Sequence, residues 1–442
     1  MLKNKSLLTI LAVLLVTSYH SVFADQYHYN NILIGNRAAG LAGSYVAISD
    51  DPSGLYYNPS GIVYATSSNI TANMNAYNIG KTKYVNALTK STGEKVDWER
   101  TSSALVPNFF GITQPLGPGT VGFSYAITDS LLEEQAQTFD NILQNGTKYT
   151  INFNNQDVTN NVGPSYAVAI GDNFSIGLTL YVHFRTQERI FNQIYQLPND
   201  GKVIVSNAGE LNETSTEQAP FFIANQYLSR SEYGVKPILG MSYTPFSKLS
   251  LGLSISQVFL LSSTIKQQDS SASNICVDDD GIRARCEDTQ PAEFNLINQT
   301  FTTEPSFPWQ VNMGGAYFYS NRLMLTANAW IYEAVNLSDK PLVNVAGGLE
   351  FYITGKFAVR MGAYTNLANT PELVPNSVNV HNEHLDIIGS TLSFTHFTRS
   401  SSISVGTAGT YGRGKAQVTG STDIQNVRFY GLSVFLSASN SF

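Results

Sequence analysis

Residues 35–61 read GNRAAGLAGSYVAISDDPSGLYYNPSG and resemble nothing else in the chain. Their many small residues let one stretch of backbone pass close to another. Asp51 and Pro52 have the pattern of a helix N-cap and first position, and this helix must end before Pro59. Residues 58–61 (NPSG) have the pattern of a tight turn. A compact segment with so few charges is typical of one that fills a cavity.

After Ala65 the chain alternates apolar and polar residues in runs of roughly ten, as strands with one apolar face do. The clearest run is 174–190, where the apolar positions are Phe174, Ile176, Leu178, Leu180, Val182 and Phe184. We predict strands at 67–79, 104–115, 119–130, 157–170, 174–190, 231–244, 249–267, 307–319, 323–335, 342–353, 356–367, 384–397, 401–413 and 426–441.

The connections between these strands alternate between short turns and long polar loops. The long ones are predicted at 80–103, 131–156, 191–230 and 268–306. Outer-membrane barrels place short turns on the periplasmic side and long loops outside, whereas a soluble sandwich has no reason to separate them. The sequence therefore predicts an all-β fold, a 14-stranded antiparallel transmembrane β-barrel (67–442) plugged by an N-terminal hatch (25–66).

The first 24 residues have the basic start, apolar run and small-residue end of a secretory signal peptide. Without Lys3 and Lys5 the formal charge goes from -7 to -9, which excludes a basic footprint for nucleic acid. Charged residues make up 13% of the chain, against about 25% in soluble domains. A large secreted β-protein is the alternative, but we expect the outer membrane and its lipid. The terminal Phe442 resembles the signal read by the barrel assembly machinery.

Cys276 and Cys286 are the two cysteines, and an exported protein is expected to pair them in a disulfide within a polar loop. Neither a calcium loop at 278–281 nor a metal site at His381, Glu383 and His384 has a complete ligand set. We therefore expect no metal and no cofactor.

Residues 35–43 (GNRAAGLAG) and 50–61 (DDPSGLYYNPSG) resemble the hatch of the FadL/TodX outer-membrane transporters of hydrophobic compounds. Residues 106–108 (VPN) resemble a further element of that family. The resemblance implies passive uptake of long-chain fatty acids or similar apolar molecules. It also implies gating by the hatch and a lateral exit beside a distorted third strand. We place the weak points of that strand at Gly119 and Gly122, because glycine loosens strand pairing.

Two further readings stay open. Members of the same superfamily serve as shuttle components of a secretion system, so a secretion or surface-interaction role is the alternative function. A barrel enzyme acting on lipids would need an adjacent Ser and His, and the sequence contains no nucleophile motif. We therefore expect a protein that is not an enzyme.

Candidate ligand contacts are apolar or aromatic residues of the hatch and wall, together with cations on inward strand faces. They are Leu55, Tyr56, Tyr57, Asn58, Pro59, Phe109, Arg185, Lys236 and Arg360. Phe110 and Trp330 are further aromatic candidates. A cation facing the lumen could bind a ligand carboxylate. In the alternative interpretation the cations, including Arg37, pair with Asp50, Asp51 and Glu350 and hold the hatch in place.

Overall fold

The structure is a computed structural model that describes residues 28–29, 31–65, 67–142, 147–196, 221–273, 276–278, 281–283, 293–302, 307–335, 339–377, 379, 382–417 and 423–442. Fourteen antiparallel strands close into a barrel, as predicted. They are β1 (Asn69–Thr89), β2 (Lys95–Leu116), β3 (Gly119–Asp140), β4 (Lys148–Ile170), β5 (Phe174–Gln196), β6 (Phe221–Phe246), β7 (Leu249–Ser256 and Phe259–Ser273), β8 (Glu293–Thr302 and Gln310–Ser320), β9 (Leu323–Tyr332), β10 (Leu342–Thr354), β11 (Phe357–Asn366), β12 (Glu383–Phe397), β13 (Ser401–Ala416) and β14 (Gln425–Ser441).

Each strand pairs with its neighbours in sequence, and β1 closes the barrel on β14 through pairs such as Asn69 with Ser441. β7 and β8 each consist of two segments. Both segments of β7 pair with β6, and each also pairs with the corresponding segment of β8. A short hairpin, Cys276–Asp278 with Gly281–Arg283, lies between β7 and β8 in sequence. Cys286 lies outside the described residues, so the expected disulfide remains a prediction.

The lower half of the wall is apolar outside and small or polar inside. On β5, Leu178 and Leu180 are about half exposed, while Ser175 and Thr179 are fully buried. Strands β9 and β11 have 10 residues each, about the length that a tilted strand needs to cross a bilayer. The exposed apolar residues of the lower half form a band around the barrel, which we call the lipid band and which a lipid-facing surface requires.

In the upper half of β2–β6 the apolar residues point inward and the polar residues point outward. These strands have 22 to 26 residues, so the predicted loops 80–103 and 131–156 are wrong over most of their length. Inside, Tyr84 of the neighbouring β1 stacks on Trp98 of β2 with ring centroids 4.9 Å apart, and Tyr149 of β4 stacks on Tyr195 of β5 at 4.2 Å. These rings belong to a second apolar core that supports the strands beyond the lipid band.

Residues 28–29 and 31–65, which we call the plug, lie inside the barrel. They contain helix α1 (Asn36–Gly40), helix α2 (Gly54–Tyr57) and a 3-10 helix (Pro59–Tyr64). The predicted helix begins later than expected, because the Asp51 carboxylate accepts the Ser53 N–H in a turn that precedes α2. The predicted turn at 58–61 is instead the start of the 3-10 helix, capped by the Asn58 side chain.

Candidate functional site: plug, cavity and a break in the wall

The plug is seated by close backbone approach at inward-facing glycines. A Cβ at Gly252 of β7 would lie 2.2 Å from the Val46 carbonyl oxygen, and a Cβ at Gly177 of β5 would lie 2.6 Å from the Pro59 carbonyl carbon. Only glycine fits where two backbones come this close. The small residues of the plug and the glycines of the wall therefore form one packed interface.

Buried hydrogen bonds fix the plug to β5 and β6. The Asn58 Nδ2 donates to the carbonyl oxygens of Val46 and Met241 at 2.8 and 3.0 Å. The Thr179 Oγ1 donates to the Leu55 carbonyl oxygen at 2.8 Å. Leu55, Asn58 and Pro59 are thus enclosed between plug and wall and do not line the cavity described below. That these three residues contact ligand therefore remains a prediction.

A buried ion network joins the plug to β10 and β11. The Arg37 Nη2 lies 2.6 Å from the Glu350 Oε2, and its Nη1 lies 2.8 Å from the Asp50 Oδ1. The Arg360 Nε donates to the Glu350 Oε1 at 2.7 Å, and its Nη1 donates to Thr395. This pairing is the arrangement that the alternative interpretation describes, and a ligand contact of Arg360 remains a prediction.

Arg185 is also engaged by carboxylates. Its Nη2 lies 2.5 Å from the Asp157 Oδ2, and its Nη1 lies 3.7 Å from the Glu232 Oε2. It sits above the cavity on the inner face of β5 rather than in the cavity. A ligand contact of Arg185 likewise remains a prediction.

A cavity lies between the plug and strands β6–β11. Its walls are formed by Tyr29, Ile32, Leu33, Gly43, Tyr56, Tyr57, Lys236, Ile238, Ser256, Gln310, Asn312, Trp330 and Tyr364. Tyr56, Tyr57, Lys236 and Trp330 were expected from the sequence, and the rest were missed. The cavity measures about 20 Å³, room for one or two water molecules. It is therefore closed to any organic ligand in this conformation.

Lys236 is the one predicted cation that faces this cavity. Its Nζ lies 5.1 Å from the centre of the Tyr56 ring, and no carboxylate among the described residues lies within ion-pair distance of it. Burial raises the pKa of Tyr56 to about 12 and raises that of Tyr57 further, so both hydroxyls stay neutral. The cavity thus offers aromatic surface, neutral hydroxyls and a single charge.

The wall has a break between β2 and β3. Pairing runs from Leu116 with Gly119 to Phe109 with Ala126 and then stops, apart from a single pair above it, Ser102 with Glu133. Residues 103–108 of β2 make no ladder pair with residues 127–132 of β3, and residues 95–101 make none with residues 134–140. Pro107 lies on this edge and has no N–H to donate.

Gly119 and Gly122 are paired regularly on both sides, so they do not loosen the pairing of β3, and their role in gating remains a prediction. The distortion of β3 is a bulge at Thr128, where the register with β4 shifts by one residue. A Cβ at Gly122 would meet the Leu55 side chain at 2.4 Å, so this glycine makes room for the plug instead.

One apolar cluster connects the cavity to this break. It contains Ile32 and Tyr57 of the cavity wall and reaches Val106, Phe109 and Ile127 at the break. Phe109 therefore belongs to this cluster and does not line the cavity. On the outside of the break Leu105 is 65% exposed and faces lipid.

No group of three or more potential metal ligands occurs among the described residues, and His381 lies outside them. Within the same residues, no helix is long and apolar enough to cross a membrane.

No protein-family model matches the chain, and no curated protein matches it. Several solved structures are similar to the chain. A FadL homologue from Pseudomonas aeruginosa is 13% identical, with 94% of this chain and 100% of that chain covered and a TM-score of 0.59. The toluene transporter TodX of P. putida is 12% identical (94% and 99% covered, TM-score 0.59). The toluene transporter TbuX of Ralstonia pickettii is 10% identical (94% and 99%, TM-score 0.55). The fold implied by the resemblance to the FadL/TodX barrels is therefore confirmed.

Proposed function

We propose that this protein is an outer-membrane channel for the passive uptake of small hydrophobic molecules. The observation that carries the proposal is the apolar cluster that runs without interruption from the cavity at Tyr57 to the wall break at Val106 and Ile127. A structural barrel would need the plug but not this path. Similar folds that are described as toluene transporters support the same class of cargo.

The mechanism is a shift of the plug followed by lateral release. Because the closed cavity has room for only one or two waters, a ligand can enter only when Tyr56, Tyr57 or the plug backbone moves. Leaving through the β2–β3 break keeps the ligand in an apolar environment. Release into the periplasm would instead cost about 0.8 kcal/mol for each CH2 exposed to water.

The direct test is to extract the purified protein with organic solvent and identify bound molecules by mass spectrometry. We expect apolar molecules in extracts of the wild-type protein and fewer in extracts of Trp330→Ala, which loses a ring from the cavity wall. Tyr166→Ala removes a lipid-facing ring and serves as the control. Extracts of wild type without any specific apolar molecule would count against the proposal.

Lys236→Met is expected to separate two ligand classes. Loss of a charged hydrogen-bond donor of about 1.5–3 kcal/mol would weaken binding of palmitate by about tenfold or more and leave toluene binding unchanged. Equilibrium binding of both radiolabelled compounds to the purified protein measures this. Lys356→Met, on an exposed turn, is the control. Equal palmitate affinity in wild type and Lys236→Met would exclude a carboxylate contact at this lysine.

A further inference from the structure

A row of charged side chains crosses the outside of the wall just above the lipid band. It follows one register over five neighbouring strands, from β12 through β13, β14 and β1 to β2: Asp386, Arg413, Arg428, Lys83 and Glu99. All five side chains point outward and are exposed or partly exposed. The three cations in the middle of the row are therefore direct cross-strand neighbours.

Two further cations flank this row on the same outward face, one below it on β1 and one above it on β13. We call the five cations together the cationic patch: Lys81, Lys83, Arg413, Lys415 and Arg428. The carboxylates that face the patch are three: Asp97, Glu99 and Asp386. The patch thus has a formal charge of +2, whereas the whole chain has a formal charge of -7.

The two lysines of β1 are paired with the carboxylates of β2. The Lys81 Nζ lies 2.7 Å from the Glu99 Oε2, and the Lys83 Nζ lies 2.6 Å from the Asp97 Oδ2. Arg428 also acts on Asp97, but from beyond ion-pair distance and more weakly than Lys83 does. These two carboxylates therefore balance the two lysines and leave the three cations of β13 and β14.

Among the described residues, no carboxylate lies within ion-pair distance of Arg413, Lys415 or Arg428. Asp386 faces Arg413 in the register, but its Oδ1 accepts a backbone N–H and its Oδ2 lies 3.8 Å from the His384 Nε2. Like charges directly opposite each other on neighbouring strands destabilise a sheet. Arg413 and Arg428 form such a pair, so an anion bound between them would relieve their repulsion.

The cationic patch lies where the lipid band ends. Directly below Arg413 and Arg428, the exposed rings of Tyr411 and Tyr430 pack with their centroids 5.4 Å apart. Below these rings the wall is apolar, as at the exposed Leu432. Exposed tyrosines are typical of the membrane interface, and the upper end of the wall is the external side of an outer-membrane barrel. The three cations therefore lie at the level of the lipid headgroups of the outer leaflet.

We infer that the cationic patch binds a phosphorylated glycolipid headgroup of the outer leaflet, with Arg413, Lys415 and Arg428 as the phosphate contacts. Arginine binds phosphate oxygens through paired N–H donors, and lysine binds them as a point charge. The patch spans about 10 Å across three strands, given the usual strand spacing. That width suits a headgroup with two phosphates better than a phospholipid with one. The site lies on the outer wall and is independent of the proposed uptake.

Equilibrium binding of lipids to the purified full-length protein in detergent tests this site. The probes are lipopolysaccharide, the same lipopolysaccharide after enzymatic removal of its phosphates, and phosphatidylglycerol. The patch variant combines Arg413→Gln, Lys415→Gln and Arg428→Gln, and Arg413→Gln and Arg428→Gln are also measured singly. The matched control replaces three cations on exposed turns at the opposite end of the barrel with glutamine: Arg322, Lys356 and Arg399. Heat-dependent mobility on denaturing gels reports whether each variant has formed a barrel.

We expect the patch variant to bind lipopolysaccharide about a hundredfold more weakly than the wild type, and each single variant about fivefold more weakly, which is about 1 kcal/mol for each cation removed. The control variant should bind like the wild type. Lipopolysaccharide should also raise the unfolding temperature of the wild type more than that of the patch variant. The two other probes should bind the wild type weakly.

Two results would overturn the inference. Equal affinity of the wild type, the single variants and the patch variant for lipopolysaccharide would show that these cations do not form a site. Equal affinity of the wild type for lipopolysaccharide and for either of the other probes would show that a headgroup with two phosphates is not what the patch recognises.

Discussion

Replacing Glu350 with alanine is expected to release the plug and raise the ion conductance of the barrel. Glu350 is fully buried and binds both Arg37 of the plug and Arg360 of the wall. Removing one partner of a buried ion pair costs about 3–5 kcal/mol, because the remaining charge stays buried without compensation. Here two arginines lose their shared carboxylate. Single-channel recording in planar bilayers measures the effect.

The control is Glu99→Ala, which removes a partly exposed carboxylate on β2 that binds Lys81 and Lys83. An exposed pair contributes about 0–1 kcal/mol, so conductance should not change. Deletion of residues 26–64 sets the upper limit. If Glu350→Ala conducts like the wild type while the deletion conducts more, the ion network does not hold the plug.

The second large effect is expected from Gly252→Leu. Its Cβ would lie 2.2 Å from the Val46 carbonyl oxygen and 2.6 Å from the carbonyl carbon, both rigid backbone atoms. Overpacking costs about 1–3 kcal/mol even when side chains can move, and backbone cannot yield as easily. The plug should therefore be displaced, with high conductance from a barrel that is still folded.

Gly409→Leu on β13 is the matched control, because nothing lies within 4 Å of its Cβ position. Heat-dependent mobility on denaturing gels reports whether each variant has formed a barrel. A folded Gly252→Leu barrel with wild-type conductance would show that the plug does not depend on this contact.

The barrel was predictable because lipid imposes a simple rule on the strands that cross it. Leu178 and Leu180 alternate with Ser175, Gly177 and Thr179, and this period-two pattern gives both the strand and its outward face. Fourteen such runs were counted, and fourteen strands are present.

The extent of the strands was not predictable by the same rule. Beyond the lipid band, Asn152 and Asn154 point outward, while Tyr149, Ile151 and Phe153 point inward. The apolar residues there contact strands far away in sequence, such as Leu385 and Val427, so the local pattern looks like a polar loop.

The site was partly predictable. Tyr56, Tyr57 and Lys236 line the cavity as expected. Which inward cation has no carboxylate partner among the described residues depends on cross-strand neighbours, and a single sequence does not reveal these. For the wall break the better signal was proline. Pro107 marks the edge of the break, whereas Gly119 and Gly122 are accommodated by regular pairing.

The central claim, that apolar cargo crosses the barrel by displacing the plug, is tested most directly by locking the plug to the wall. The Ser60 and Ser242 hydroxyl oxygens lie 2.7 Å apart, so Ser60→Cys with Ser242→Cys is placed to form a disulfide between the plug and β6. Uptake of radiolabelled palmitate and toluene is compared in oxidised and reduced cells, with the wild type under both conditions as control. We expect uptake to stop on oxidation and to return on reduction. Undiminished uptake with the disulfide fully formed would contradict the account.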